Sequence, residues 1–164
     1  MRRSKYGIML LVMLIDQIVK AAVRSAFEPW ESMDVLGKFF ALTYVQNRGA
    51  AFSMLSGARM ILILIPVVAV VWGIWYMEKN RHEHFSLYLS LSLVIGGGVS
   101  NILDRVIFGF VTDMFDFHFW PVFNVADICV TGGCILLLIY YFFFEGKKSG
   151  AAEAPEGTDD GRQQ

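Results

Sequence analysis

Aspartates recur at spacings that could do acid–base chemistry: Asp104, Asp113, Asp116 and Asp127 fall in one stretch that also holds Asn101, Arg105 and Asn124. Two carboxyls close enough to share one proton can hydrolyse a peptide bond. The ionised member activates water and the neutral member protonates the departing group. Such chemistry needs no metal, cofactor or covalent nucleophile. The residues for those other routes are poorly arranged. His82 and His84 lie away from the acids, only His118 shares their side, and no His-Glu-x-x-His occurs. There is no Gly-x-Ser-x-Gly elbow. Cys129 and Cys134 sit in an apolar run without a local histidine, at a spacing that fits neither a metal site nor a disulfide framework.

The elements that must position these acids are membrane helices. The chain of 164 residues is 55% hydrophobic, against roughly 45–50% for soluble domains, and its mean hydropathy is +0.51. A net charge of -1 gives no basic excess for nucleic acid. Four apolar runs, 7–26, 60–77, 85–103 and 126–144, are each near the ~20 residues that cross a hydrocarbon core ~30 Å thick. The expected fold is an all-α membrane protein with four transmembrane helices and both termini on one side. Met1-Arg2-Arg3-Ser4-Lys5 before an apolar run looks like the start of a secretory signal. Asp16 and Lys20 interrupt that run and no small-x-small site follows, so a retained first helix is expected.

Basic residues flank the runs at Arg2, Arg3 and Lys5, at Lys79 and Arg81, and at Lys147 and Lys148, which predicts that the termini and the 78–84 loop are cytoplasmic. Arg24, Lys38, Arg48, Arg59 and Arg105 lie on the other face, so the bias is modest. Segments 27–59 and 104–125 then lie outside. The first carries the aromatic and β-branched stretch Phe39 to Val45, closed by Asn47-Arg48-Gly49, which predicts a short strand and turn. Residues 1–148 form the expected membrane domain. Residues 149–164, polar and small, are expected to be a disordered, dispensable cytoplasmic tail. No internal repeat suggests a transporter of inverted halves.

Polar residues in or beside these runs cost roughly 2.5–3.5 kcal/mol each on insertion scales, so each one requires an account. Asp16 and Lys20, four apart on one helix face, could simply neutralise each other near the interface, with Lys20 snorkelling outward. Gly96-Gly97-Gly98 permits close helix packing, and Asn101 and Asp104 follow on one face at the outer end of the third run. Asp104-Arg105 could be an interfacial ion pair that ends the span. Asn124 is a good N-cap with Asp127 at N3, so capping alone could explain both. Capping does not explain why four carboxyls gather on one membrane face. In Val111 to Trp120 the acids alternate with large apolar residues, which desolvate a carboxyl and raise its pKa.

The motifs Asp16-x-x-x-Lys20, Asn47-x-Gly49-x-Ala51-Phe52, Gly97-Gly98-x-x-Asn101-x-x-Asp104-Arg105, Val111-x-Asp113 and Phe123-Asn124-x-Ala126-Asp127, in that order, resemble lipoprotein signal peptidase, also called signal peptidase II. The resemblance covers nearly the whole chain before the tail. It implies a four-helix bundle with a small extracytoplasmic β-cradle and a mobile outer helix over the site. It implies that Asp113 and Asp127 are the catalytic pair, and that Asp16, Lys20, Asn47, Gly49, Asn101, Asp104, Arg105 and Asn124 support the pair or bind substrate. The implied substrates are diacylglyceryl prolipoproteins, cut on the amino side of the lipidated cysteine at the outer face of the bacterial inner membrane. Membrane lipids and globomycin-type inhibitors are further implied partners. One departure from the family pattern is a short stretch between the two aspartates.

A small proton or ion translocator is a competing reading, with Asp16, Lys20, Asp104 and Asp127 as a relay. A relay needs ionisable groups in both halves of the bundle, whereas the inner halves of these spans are apolar. A presenilin-like protease would carry a Gly-x-Gly-Asp pattern, which is absent.

Overall fold

The structure, a computed structural model, describes residues 2–49, 59–80 and 84–145. The elements run α1 (Arg2–Ala26), β1 (Ser32–Asp34), β2 (Ala41–Asn47), α2 (Arg59–Lys79), α3 (Phe85–Ile107), β3 (Val111–Asp116) and α4 (Val125–Tyr140), with a π-helical turn at Tyr141–Glu145. Among the described residues four helices are long and apolar enough to cross a membrane: Tyr6–Ala26, Met60–Lys79, Phe85–Ile107 and Val125–Phe143. Their outward faces carry large exposed apolar side chains such as Leu11, Ile18, Ile65, Val68 and Leu138. In water such a surface would be a liability; in lipid it is the expected solvent-facing face.

Helix α3 is the central element, packed against α1, α2 and α4. Glycines allow its closest approaches. A Cβ on Gly97 would lie 2.5 Å from the Ala126 carbonyl oxygen, and one on Gly96 would lie 2.8 Å from that of Met9. The triplet therefore does two jobs, seating α4 on one side and α1 on the other. Away from the sheet, Met77, Leu87, Leu91, Ile95 and Tyr140 fill the interior.

The three strands form one antiparallel sheet in the order β1-β2-β3. The expected strand at Phe39 to Val45 begins two residues later and ends at Asn47, because Phe39 and Phe40 belong to the turn that closes the β1–β2 hairpin. The sheet is tied to the bundle by Met114, which packs with Val23 and Tyr44. No helix occurs in the described residues 27–49 and 108–124, so the implied outer helix is not among them. The motif residues Ala51 and Phe52, the basic residues Arg81, Lys147 and Lys148, His82, and the 149–164 tail lie outside the described residues.

Span boundaries differ from expectation most at α3, which continues past position 103 to Ile107 and is closed by the Phe108 N–H donating to the Asp104 carbonyl. The helix need not stop at Asp104, because that side chain faces protein partners. Its carboxylate pairs with Lys20 and Arg24, which corrects the interfacial Asp104–Arg105 pair: neighbours along a helix point in different directions. Lys20 does not snorkel outward either. It is fully buried, since the charges that attract it lie inside the protein.

Candidate active site

Alternation along β3 sorts its residues. Val111 and Asp113 face a cleft, while Thr112 and Met114 face α1 and the core. A register shift in β2 between Leu42 and Val45 leaves Val45 opposite Asp113 and Asn47 opposite Val111. Asn47 is thus a diagonal neighbour of Asp113 on one sheet face, and its Nδ2 donates to Asp113 Oδ2 at 2.8 Å.

Asp127 comes from the start of α4. Asn124 is the N-cap, with its side chain accepting from the Asp127 N–H (2.9 Å) while the Asp127 carboxylate accepts from the Asn124 N–H (3.2 Å). The capping box is real, but it leaves Asp127 Oδ1 free to face the cleft, where the Asn101 amide donates to it at 2.8 Å. Capping and chemistry are compatible uses of one side chain. Asp113 and Asp127 both line a cleft of about 1020 Å³, together with Asn47, Gly49, Asn101 and Arg105.

Three asparagines meet the two carboxyls, and each has its orientation fixed by a partner elsewhere. Asn47 Oδ1 accepts from the Gly49 N–H, so its amide must donate to Asp113. Asn124 Oδ1 is occupied by the cap, so its Nδ2 donates to Asp113 Oδ1 at 2.7 Å and to Asn101 Oδ1 at 3.1 Å. Asn101 Oδ1 also accepts from Lys20 Nζ at 2.8 Å, which turns its Nδ2 toward Asp127. Only donors are therefore aimed at the pair.

A buried charge network lies behind this layer. Lys20 is 2.7 Å from Asp16 and 3.2 Å from Asp104, and Arg24 lies 3.7 Å from Asp104. Asp16 accepts from Ser100 Oγ and from the Ala126 N–H, so it also holds the α4 N-terminus beside Asp127. Asp104 accepts from the Thr112 N–H at 2.9 Å, which fixes the peptide next to Asp113. Isolated ions at this depth would be costly; here each is paired and hydrogen-bonded.

Burial holds the Asp113 carboxyl at about 7, well above the ordinary 3.8, and the neighbouring Asp127 pushes it the same way. The Asn47 and Asn124 amides and the Lys20 charge oppose that rise. The Asp113 carboxyl therefore keeps its proton up to about neutrality, well above the range of an exposed aspartate.

Among the described residues the cleft rim carries two non-glycine residues with left-handed backbone, Trp30 (φ 72) and His118 (φ 59). The Trp30 N–H donates to the Tyr44 carbonyl, and the His118 N–H to Asp116 Oδ1. Asp116, which also accepts from Thr43, thus serves the β3 tip and does not line the cleft. The four acids divide into a facing pair, a buried support (Asp104) and a turn residue. Arg105 reaches across the cleft wall to the Gly49 carbonyl at 3.3 Å.

Gln17, Arg24, Ser100 and Thr112 belong to the network but carried no motif. Gln17 donates to Ser100 and Asp104, and Arg24 donates to Thr112 Oγ1. Arg24 was findable, since Asp16, Lys20 and Arg24 repeat every four residues on one face of α1.

Comparison with known proteins agrees with this arrangement. The signal peptidase (SPase) II family matches residues 8–143. The lipoprotein signal peptidase of Halothermothrix orenii is 44% identical over 131 residues, covering 80% of this chain and 90% of that protein. That of Streptococcus pneumoniae is 43% identical, covering 79% and 86%. A bacterial membrane enzyme solved by the in meso method at 2.3 Å superposes with a TM-score of 0.80 at 25% identity, over 95% of this chain and 94% of that one. A second, solved at 1.9 Å, gives 0.78 at 27% identity, over 86% and 94%. With its motifs in order and the match running through all four apolar helices, the chain belongs to the signal peptidase II family.

Proposed function

We propose that Asp113 and Asp127 are the catalytic dyad of a multi-pass membrane aspartyl peptidase that removes signal peptides from prolipoproteins. The observation that carries the assignment is the pair of carboxyls facing one cleft, each approached only by oriented donors. One carboxyl takes a proton from a water that attacks the scissile carbonyl, and the other protonates the departing nitrogen. Asn47, Asn101 and Asn124 hold the pair, while Asp16, Lys20 and Asp104 hold the asparagines and the backbone. Arg105 and Gly49 form a wall against which a substrate strand can lie.

The finer substrate assignment is a prolipoprotein whose cysteine carries diacylglycerol, cut on the amino side of that cysteine. A site at the end of an apolar bundle suits a substrate whose lipid stays in the bilayer. Globomycin-type inhibitors would occupy the same cleft, with membrane lipid around its mouth. The basic residues flanking the spans favour cytoplasmic termini and an active site at the outer face. Residues 1–148 serve as the peptidase domain and 149–164 as a dispensable cytoplasmic tail. The translocator reading is not favoured: within the described spans Asp16, Lys20, Arg24, Asp104, Arg105 and Asp127 gather toward the end that bears the sheet.

The test is incubation of the purified full chain with a diacylglyceryl-modified prolipoprotein and, in parallel, its unmodified form, followed by gel shift. Cleavage of the modified form alone is expected. Equal cleavage of both would remove the lipid from the substrate assignment, and cleavage of neither would count against the peptidase.

A further inference from the structure

The two carboxyls of the dyad are not held alike, and the difference leads back to Lys20. This residue is fully buried and does not line the cleft. Its ammonium is committed to Asp16 Oδ2, Asp104 Oδ2 and Asn101 Oδ1. Since an ammonium only donates, Asn101 must turn its oxygen to Lys20 and its NH₂ to Asp127. Asp127 is thus one amide away from a buried positive charge. It also sits in the first turn of α4, where the helix dipole favours an anion and its carboxylate accepts from the Asn124 N–H. Asp113 lies on a strand, which has little net dipole. Its donors, Asn47 and Asn124, take their own orientation from the backbone N–H groups of Gly49 and Asp127.

Resting on the dyad assigned above, we propose that Lys20, acting through Asn101, decides which aspartate keeps the shared proton: Asp127 is the carboxylate that activates water, and Asp113 is the neutral acid. The water oxygen bonds to the scissile carbonyl carbon as one of its protons passes to Asp127. The Asp113 proton then passes to the nitrogen as the C–N bond breaks, leaving a carboxyl and an amine. Transfer of the new proton from Asp127 to Asp113 resets the pair. Lys20 touches no reacting atom and is a positioning residue. The charged and titratable groups around the pair are Asp16, Lys20 and Arg24 on α1 and Asp104 and Arg105 on α3, with Arg48 and His118 on the cleft wall and the Cys129 thiol on α4. Among these, Lys20 alone connects to Asp127 through a side chain held at both ends.

The experiment is the pH profile of kcat/KM on a diacylglyceryl prolipoprotein for the full chain and for Lys20→Met, Lys20→Arg and Asn101→Leu. With the charge removed, or the amide that transmits it, Asp127 holds a proton to higher pH. The acid limb should move up by at least ~1 unit, an about tenfold loss at pH values below the limb, and Lys20→Arg should restore most of it. A uniform fall in kcat with both limbs unmoved would mean that Lys20 is only structural, and would overturn the proposal. Because Lys20→Met strands two buried carboxylates, a second measurement needs no such variant. Carbon-13 NMR of the aspartate-labelled unsubstituted chain, assigned by the resonances missing from Asp113→Asn and Asp127→Asn, should show Asp113 protonated and Asp127 ionised between the acid and basic limbs. The reverse order would overturn the proposal while leaving the dyad intact. Full activity of Asp113→Asn or Asp127→Asn would instead overturn the dyad itself.

Discussion

Replacing Gly97 with alanine tests whether α3 sets the position of Asp127. The added Cβ would lie 2.5 Å from the Ala126 carbonyl oxygen and 2.9 Å from Val130 Cγ2. Ordinary contact begins at 3.4 Å, so the start of α4 must retreat by about 0.9 Å. The obstacle is backbone, so no rotamer change relieves it. The same movement opens the 2.8 Å bonds from Asn101 to Asp127 and from the Ala126 N–H to Asp16. Overpacking of this kind costs ~1–3 kcal/mol, and a misplacement near 1 Å in an active site can cost ~100-fold in rate. Gly97→Ala should therefore lower kcat by about 10- to 100-fold, read by gel shift on a diacylglyceryl prolipoprotein, and lower the thermal midpoint in detergent. Gly132 on α4 is the control, because a Cβ there meets nothing within 4 Å, and Gly132→Ala should be neutral or stabilising by up to ~1 kcal/mol. Parental turnover and stability in Gly97→Ala would refute the claim that this contact positions the dyad.

Asp113→Asn and Asp127→Asn should each lower turnover by at least ~100-fold, and the double variant should cost little more than either, because two residues acting as one unit fail together; additive losses would separate them. Above about pH 7 the carboxyl of Asp113 loses its proton, so kcat/KM should fall as pH rises through neutrality. The unfolded chain gives up that proton near 3.8 while the folded chain keeps it to about 7, so this group lowers stability as pH rises across that window; a thermal midpoint that rises there in the parent but not in Asp113→Asn would contradict the sign. Asp116→Asn should keep near-parental activity, since the amide oxygen can still accept from the His118 N–H while the amide NH₂ donates to the Thr43 hydroxyl, whose own proton can turn to Ser32 Oγ. Asp16→Asn should weaken stability and activity without abolishing cleavage, because Lys20 retains Asp104 as a partner; a stable but wholly inactive variant would move Asp16 into contact with the chemistry.

The helices were legible because each apolar run approaches the bilayer thickness, and the capping box because Asn124 and Asp127 stand three apart. The sheet was less so. β1 is three exposed residues with no apolar alternation, and β3 places Thr112 and Asp113 inside, reversing the usual pattern of buried apolar residues. That reversal belongs to the site: the polar side chains are buried because their partners come from α1, α3 and α4. Sequence spacing located Asp16, Lys20, Asn101 and Asp104 on common faces, but it could not show that Asp104 turns to Lys20 instead of Arg105. That choice depends on how α1 and α3 pack, which Gly96 decides through Met9. Asn47 could be brought to Asp113 only by the register shift in β2, a long-range pairing that no local pattern encodes.

The β3 tip bears on how this site can vary. Phe115 and Phe123 bridge to each other, so the chain that leaves the sheet after Asp116 is clamped back onto β3 just before the Asn124 cap. Residues 117–122 hang beyond that clamp, with Phe119 and Trp120 exposed at the cleft. Doubling the length of such a loop costs only ~0.6 kcal/mol of closure entropy, and the clamp keeps the change from reaching either aspartate. The hydrolytic apparatus and the surface that meets the substrate are thus mechanically insulated, so insertions and exchanges at the tip can retune which sequences enter while the chemistry stays as it is.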